Sequence, residues 1–416
     1  MDSASFRNTL RILSIQEFKR FILTRFTLIF SLFLQTTVLS YLMYSITGNP
    51  LSLGLLGLAE VIPAFGLAFI AGYWVDRNEK RRIYAGCVLF YFMNALLALA
   101  LVYAYFNGHV NGHYTAYGIY GLQFMSGCIR AFLAPASFSL LPLLIDKDRI
   151  PEAVTWSSTS WLLGSVLGPL AGGLLMAGFG QTTAMSISVG GMFLAWMAMQ
   201  GISAKPVHYK QDVPLLEGLS QGFRYVFGSE IILAVLSLDL FAVLFGGAEA
   251  LLPVFSKEVF QVGETGYGWL RSAHGIGSIL LLFILAYLPL KTKVGYKLLL
   301  CVAGFGISII AFALSPNAVV AFFCLMMAGL FDGVSVVIRH SILQMNTPEE
   351  LKGRVSSINM LFISSSNELG AFESGLAAKY LGTIPSVVFG GIMTILVVIA
   401  TYIKAPALKR VRIHKK

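Results

Sequence analysis

Charged residues are scarce in this chain of 416 residues, since Asp, Glu, Lys and Arg together make up only 12% of it. A water-soluble protein of this length would carry about 25% charged residues. Hydrophobic residues account for 56% of the sequence, and they form apolar runs of about 20 residues separated by polar breaks. These features exclude a soluble globular protein and predict a polytopic helical membrane protein.

Residues suited to redox, metal or covalent chemistry are also few. The four cysteines are solitary and lie in apolar runs, which predicts buried thiols (Cys87, Cys128, Cys301 and Cys324). His109 and His113 are four residues apart, but they lie in a short loop without a third ligand. Neither a phosphate-binding GxxxxGKS loop nor a dinucleotide-binding glycine pattern is present. We therefore expect no cofactor, no metal site, no ATP-driven pumping and no enzymatic activity.

Hydropathy predicts twelve membrane spans. They cover residues 20–46, 51–74, 83–106, 114–143, 153–178, 183–203, 230–256, 264–290, 295–315, 317–345, 353–381 and 383–404. The breaks on the side of both termini are rich in Lys and Arg, whereas only two such residues, Lys257 and Lys379, are counted on the opposite side. The positive-inside rule therefore places both termini in the cytoplasm and the protein in a cytoplasmic (inner) membrane. This topology explains the net charge of +10, so we expect no nucleic-acid partner.

The longest break, residues 204–229, divides the chain into two six-helix bundles, residues 1–203 and 230–416. Apolar residues at helical spacing predict a short amphipathic helix within this linker (Leu215, Leu216, Leu219, Phe223 and Val226). The halves resemble one another, since GCIRAFLAPASFSLLPLLIDKDRIPEAV after Ser126 has its counterpart in GLFDGVSVVIRHSILQMNTPEELKGRV after Ala328. Such a pair of bundles is typical of transporters that work by alternating access.

Two motifs resemble those of the major facilitator superfamily. The break after the second span reads GYWVDRNEKRR and matches the signature loop of that superfamily at Gly72, Asp76, Arg77, Lys80, Arg81 and Arg82. It departs from the signature at Asn78-Glu79, where the family often has a glycine. The fifth span contains GxxxGPxxGG, which resembles the motif of drug/proton antiporters and predicts close helix packing (Gly164, Gly168, Pro169, Gly172 and Gly173).

The whole chain resembles the group of this superfamily that contains enterobactin exporters and macrolide-efflux proteins. The resemblance is carried by SLDLFAVLFGGAEALLPVF at 237–255, TPEELKGRVSSIN at 347–359 and SNELGAFESG at 366–375. It covers all twelve spans. It implies the major facilitator fold, an all-α polytopic membrane protein with twelve transmembrane helices in two six-helix pseudo-repeat bundles, and it implies export without selecting a substrate.

Ionisable residues at membrane depth are candidates for substrate binding or proton coupling, because they are costly unless they are paired or reach water. Six are predicted in these roles: Glu60, Arg130, Asp239, Asp332, Arg339 and Glu368. A carboxylate among them can bind and release a proton during transport, or it can be half of a buried ion pair that holds spans together. Arg25, Arg271 and His274 lie nearer the span ends and are predicted to snorkel or to form structural pairs.

The acid in the signature loop is not explained by the positive-inside rule. We predict that Asp76 faces the N-terminal end of the eleventh span, near residues 351–355, and that Arg77 pairs with Asp146 or Asp148. Such contacts would join the bundles while the cytoplasmic side is closed. The predicted conformational gate consists of Gly72, Asp76, Arg77, Lys80, Arg81, Asp146 and Asp148.

The sequence thus predicts a secondary active transporter, a proton-coupled exporter of a hydrophobic or amphiphilic small molecule such as a drug or a siderophore. The alternatives are an importer or facilitator and a lipid flippase on the same fold. A transport-dead receptor and a membrane enzyme are less favoured. The expected partners are the small-molecule substrate, protons as the coupling ion and the lipid bilayer, and we expect a monomer.

Overall fold

A computed structural model of the protein describes residues 12–206, 215–287, 294–348, 351–409 and 411. All regular secondary structure in these residues is helical. The helices of 14 residues or more are α1 (Gln16–Thr47), α2 (Pro50–Arg77), α3 (Lys80–Phe106), α4 (Gly112–Leu140), α5 (Ile150–Phe179), α6 (Gln181–Gln200), α7 (Leu215–Gly228), α8 (Glu230–Phe245), α9 (Gly263–Tyr287), α10 (Val294–Ala313), α11 (Ala318–Asn346), α12 (Lys352–Leu381) and α13 (Thr383–Lys404).

Every long helix except α7 overlaps one predicted membrane span, which confirms the predicted all-α polytopic fold. Ten helical segments of the described chain are long and apolar enough to cross a membrane. The two remaining predicted spans are α9 and α12, which have 25 and 30 residues. Both exceed the roughly 20 residues that a bilayer crossing needs.

The internal repeat has a structural counterpart at two glycines. Gly180 connects α5 to α6 with φ 83° and ψ 165°, and Gly382 connects α12 to α13 with φ 91° and ψ 159°. Residues with a Cβ rarely adopt this backbone conformation. Both glycines therefore make the same sharp helix-to-helix connection at equivalent points of the two halves.

The chain forms two compact units. Unit 1 comprises the described residues of Met1–Thr47 and Ile62–Gln211, and unit 2 those of Gly48–Val61 and Asp212–Lys416. The boundary falls inside α2, just before Pro63, which lies within that helix. The first turns of α2 pack in unit 2 against α12, where a Cβ added to Gly54 would lie 3.0 Å from the Cα of Phe372. Residues 48–61, which the sequence assigns to the first bundle, thus belong to the compact unit of the second half.

In unit 1, α1 packs against α5 through the glycines of the fifth span. A Cβ at Gly164 would lie 2.9 Å from the backbone nitrogen of Phe30, and one at Gly168 would lie 2.6 Å from the carbonyl oxygen of Phe30. Gly172 faces Thr37 of α1 at 3.3 Å. The two backbones are therefore in contact, and the helix continues through Pro169.

In unit 2, α7 packs on the helices of the second half. The side chain of Val226 is buried with Ile232, Leu236 and Val355. The Tyr225 hydroxyl donates to the carbonyl oxygen of Asn346 at 2.5 Å. The C-terminal part of the linker is thus part of unit 2, whereas residues 207–214 of the predicted linker lie outside the described residues.

The seventh span, predicted as residues 230–256, differs from the expectation because it is not one continuous α-helix. The helix α8 ends at Phe245, and Gly246 and Gly247 follow it. The chain then forms a 3₁₀ turn at Ala248–Leu251, one α-helical turn at Leu252–Val254 and a π-helical turn at Phe255–Val259. The C-terminal part of this span is therefore wound differently from its N-terminal part.

Candidate functional site

Two of the predicted site residues form a buried ion pair in unit 2. The guanidinium of Arg339 on α11 contacts the carboxylate of Asp239 on α8. Asp239 is 7% exposed and Arg339 is 3% exposed. Either charge alone at this depth would be strongly unfavourable, so each stabilises the other. The geometry favours the structural role for Asp239 and Arg339.

Arg339 lies on the buried face of α11. Ser335, Ile338 and Ile342 are buried on the same helix at intervals of three and four residues. Residues at these intervals share one face of an α-helix. Arg339 therefore points inward between the apolar neighbours, where the carboxylate of Asp239 meets it.

A second cluster in unit 2 joins three chain segments at one imidazole. His274 of α9 places Nδ1 3.0 Å from Oε1 of Glu249 and Nε2 3.4 Å from Oδ2 of Asp332. Glu249 lies in the 3₁₀ turn that follows α8, and Asp332 lies on α11. The three side chains are 24%, 53% and 30% exposed in the order His274, Glu249 and Asp332. All three side chains are therefore partly exposed, unlike those of the Asp239–Arg339 pair.

Close packing of α9 on α11 creates this cluster. A Cβ added to Gly329 would overlap the carbonyl oxygen of His274, and one added to Gly277 would overlap that of Met326. The hydroxyl of Ser278 donates to the carbonyl oxygen of His274 at 3.2 Å and to that of Gly329 at 3.1 Å. Because the backbones touch, the side chains of His274 and Asp332 can meet across the interface.

The cluster can hold a positive charge between two negative ones, or it can carry a proton. An imidazole takes up a proton on one ring nitrogen and releases one from the other, which suits it to proton transfer between two carboxylates. The neighbouring cation, Arg271, donates to the hydroxyl of Tyr267 at 2.6 Å. No group of three or more ligands suited to a metal ion occurs among the described residues.

The other predicted membrane-depth residues are half-buried. Glu368 of α12 lies beside Gly57 of α2, since its Oε2 is 3.1 Å from the position that a Cβ of Gly57 would occupy. Glu60 follows Gly57 by one turn on α2 and also belongs to unit 2. Arg130 lies on α4 in unit 1. Five of the six predicted residues are thus in unit 2, and their roles in transport stay predictions.

The predicted gate residues lie at the ends of helices in unit 1. Asp76 and Arg77 are exposed, and the guanidinium of Arg77 lies 3.9 Å from the centre of the Tyr73 ring. The ammonium group of Lys80 donates to the carbonyl oxygen of Asp76 at 2.6 Å. Gly72 has open space where a Cβ would point.

The acids predicted to pair with Arg77 lie in the turn between α4 and α5. Asp146 and Asp148 are both exposed there. Asp76 belongs to unit 1 and residues 351–355 to unit 2, and the side chains of residues 352–354 are outside the described part of the chain. The gate contacts of Asp76 and Arg77 therefore stay predictions.

Sequence reasoning missed the role of Glu79, which stands where the signature loop often has a glycine. Its carboxylate caps α3 by accepting from the backbone nitrogens of Arg81 at 3.0 Å and Arg82 at 2.7 Å. It also accepts from the backbone nitrogen of Lys205 at 2.9 Å. The ammonium group of Lys205 in turn donates to Glu17 at 2.5 Å. The departure from the signature at this position was the only sequence signal for this contact.

Arg81, one of the predicted gate residues, contacts the same end of unit 1. Its guanidinium donates to the carbonyl oxygen of Gln200 at 3.3 Å and to the side-chain oxygen of Gln200 at 3.2 Å. The guanidinium of Arg20 donates to the carbonyl oxygen of Gly201. Cations thus lie at the C-terminal end of α6, where they complement the helix dipole and its free carbonyl groups.

Comparison with known proteins gives a family and a fold. The family model for transmembrane secretion effectors matches residues 8–413. The enterobactin exporter EntS of Escherichia coli O1:K1 is 24% identical over 240 residues, which are 58% of this chain and 58% of the exporter. EntS of Shigella boydii serotype 18 has the same identity and coverage. The matched part spans little more than half the length of these relatives.

Solved structures of transporters share the fold. A bacterial homologue of ferroportin in an inward-facing state superposes with a TM-score of 0.72 at 14% identity and covers 95% of this chain and 99% of its own. A bacterial homologue of the lysosomal transporter Spinster has a TM-score of 0.67 at 16% identity, covering 94% of this chain and 96% of its own. At such low identity these neighbours support the fold alone.

Proposed function

This chain belongs to the transmembrane secretion effector family of the major facilitator superfamily, and from that membership we propose that it exports an amphiphilic small molecule in exchange for protons. The family resemblance that the sequence predicts is thus confirmed, and the chain is a multi-pass membrane protein. Export by alternating access, proton coupling and an inner-membrane location with both termini in the cytoplasm form the proposal.

The Glu249–His274–Asp332 cluster is the observation that carries proton coupling. Its imidazole lies between two carboxylates on separate chain segments, and all three side chains are partly exposed. When a proton enters, one negative charge of the cluster is neutralised, and when it leaves, that charge returns. A cationic or neutral amphiphile that binds better to the deprotonated cluster would exchange with the proton, since a ligand shifts an equilibrium only through its differential affinity.

The substrate proposal combines the relatives with the charge of the predicted site. The curated relatives are named as exporters of enterobactin, so a siderophore is the first compound to test. Carboxylates outnumber arginines among the predicted membrane-depth residues, which favours a cationic or neutral amphiphile such as a drug as the second class. A deletion strain screened for drug susceptibility and for exported metabolites, with and without an uncoupler, would identify further compounds.

The test of proton coupling uses purified protein in proteoliposomes with enterobactin or a compound from that screen. We expect an imposed pH gradient to drive substrate movement against its own gradient. The substitutions His274→Gln and Asp332→Asn should abolish this uphill movement but leave exchange of labelled for unlabelled substrate. His109→Gln is the control, because His109 is an exposed residue in the loop between α3 and α4.

The results separate the competing transporter functions. Substrate movement that ignores the pH gradient in the unmodified protein would contradict proton coupling and favour a facilitator. Uphill movement in the opposite direction would indicate an importer. Coupled transport that survives both the His274→Gln and Asp332→Asn substitutions would remove this cluster from the mechanism and return attention to Glu60 and Glu368.

A further inference from the structure

The break after α8 lies immediately before the acid that contacts His274. The nitrogen of Gly246 makes the last helical hydrogen bond, to the carbonyl oxygen of Ala242 at 2.8 Å. The next bonds follow a tighter pattern, from Ala248 to Gly246 at 2.7 Å and from Ala250 to Gly247 at 3.2 Å. The helix therefore ends at the two glycines and resumes as the 3₁₀ turn that contains Glu249.

The two glycines are required for space rather than for unusual backbone angles. Gly246 has φ −82° and Gly247 has φ −67°, and both values are accessible to any residue. A Cβ on Gly247 would lie 2.7 Å from the carbonyl oxygen of Gly370 and 2.9 Å from the hydroxyl oxygen of Ser374 on α12. A Cβ on Gly246 would lie 2.5 Å from the ring of Phe305 on α10 and 2.7 Å from the carbonyl oxygen of Ala242. Gly247 thus lies directly against the backbone of α12, and Gly246 lies against the ring of Phe305.

The other side of this contact is a glycine as well. A Cβ on Gly370 would lie 2.8 Å from the carbonyl oxygen of Val243 and 2.9 Å from that of Leu244, in the last turn of α8. Gly247 and Gly370 therefore face each other across one backbone contact. A methyl group on either would push the break and α12 apart.

The break determines where Glu249 points. Ala248 and Leu251 of the 3₁₀ turn are buried, whereas Glu249 is directed to His274. An α-helix has 3.6 residues per turn and rises about 1.5 Å per residue, whereas a 3₁₀ turn has 3.0 residues per turn and rises about 2.0 Å per residue. Each residue of the 3₁₀ turn is thus rotated by about 20° and displaced by about 0.5 Å relative to a continuous α-helix. An uninterrupted helix would thus direct Glu249 away from its present contact.

We propose that Gly246, Gly247 and Gly370 are positioning residues that hold Glu249 against His274. This inference deepens the proposed function, because it names what places one member of the proton-coupling cluster. Discontinuous helices recur at ion and substrate sites of transporters because the break redirects the chain at membrane depth. Here the redirected group is a carboxylate. The charged groups around it are His274, Asp332 and Arg271.

A double-mutant cycle on thermal stability tests the contact without any substrate. In the unmodified background, we expect Glu249→Gln and His274→Gln to have non-additive effects on the melting temperature, because the residues interact directly. In Gly247→Ala, and separately in Gly370→Ala, this non-additivity should disappear. Gly190→Ala is the control, since a Cβ at Gly190 would meet open space, and it should leave the non-additivity unchanged.

Two further comparisons make the result decisive. If Gly247→Ala and Gly370→Ala fail to fold, Glu249→Asp takes their place. It keeps the charge but shortens the side chain by one methylene, so the non-additivity with His274→Gln should be lost. Non-additivity that persists in the glycine variants, or in Glu249→Asp in their place, would overturn the positioning role. Proteoliposomes that show no proton coupling would refute the proposed function, whereas the thermal cycle would still report on the contact.

Discussion

The interiors of unit 1 and unit 2 are polar in different ways. In unit 1 the buried polar groups are largely neutral, as in the bond from Asn94 to the hydroxyl of Ser126 at 2.9 Å and the bond from Ser188 to the carbonyl oxygen of Ser31 at 2.9 Å. In unit 2 the corresponding depth holds the ion pair of Asp239 and Arg339. The buried polar groups of the two halves therefore differ in charge.

Close backbone contacts also differ between the units. In unit 1 the glycines of the fifth span bring α5 onto α1, whereas in unit 2 Gly277 and Gly329 bring α9 onto α11. The first contact packs two helices around apolar and hydroxyl side chains. The second places His274 beside Asp332. The pair Asp239–Arg339 and the Glu249–His274–Asp332 cluster both lie in unit 2.

The largest effect on stability is expected from a substitution that breaks the Asp239–Arg339 ion pair of unit 2. Arg339→Met leaves the carboxylate of Asp239 buried without a partner, and we expect a loss of about 3–5 kcal/mol in the free energy of unfolding. Thermal denaturation of the purified protein in detergent measures it. The double variant Asp239→Leu with Arg339→Met should regain much of the stability. A single variant as stable as the unmodified protein would contradict the pairing.

The second largest effect is expected from a substitution that disturbs the packing of α5 on α1 in unit 1. Gly168→Ala places a methyl group 2.6 Å from the carbonyl oxygen of Phe30, and overpacking of this kind costs about 1–3 kcal/mol. The same denaturation assay should show a lower melting temperature. Gly86→Ala, at a position with open space, is the matched control. Equal melting temperatures for the two variants would show that α1 and α5 can separate at little cost.

A smaller loss of stability is expected when an arginine with neutral hydrogen-bond partners is removed. Arg25 of unit 1 donates to the hydroxyl of Ser137 at 2.8 Å and to the carbonyl oxygen of Ser157 at 3.1 Å. Arg25→Met removes these bonds, and no carboxylate among the described residues pairs with Arg25, so we expect a loss of about 1–2 kcal/mol. If the loss equalled that of Arg339→Met, the proposed difference between the two interiors would be wrong.

The smallest effect concerns the end of unit 1 near Glu79. The ion pair between Lys205 and Glu17 is partly exposed, with side chains 14% and 28% accessible. Lys205→Met should therefore destabilise the protein by only about 0.2–1 kcal/mol. The difference from the unmodified protein should shrink as salt is added, because ions screen exposed charges. A difference that does not depend on salt would indicate that packing of the lysine stem is responsible.

The pairings within the candidate site were beyond what the sequence could predict. Asp239 and Arg339 are on different helices, and no local spacing indicates that they meet. The position of His274 along its span predicts a snorkelling or structural role, whereas the structure places it against Asp332, a predicted site residue. The break after Phe245 was also missed, because two adjacent glycines in an apolar run are compatible with either a continuous or an interrupted helix.

The sequence by itself determined the helices, their number and the family. These properties are local or additive: an apolar run of sufficient length must satisfy its backbone hydrogen bonds as a helix in lipid, and the signature motifs occupy consecutive positions. Only the tertiary structure decided which charges neutralise one another, where α2 passes from one unit to the other and how Glu249 reaches His274. Those outcomes depend on contacts between distant segments, where the absence of a single methyl group at Gly247, Gly329 or Gly370 sets the distance between two backbones.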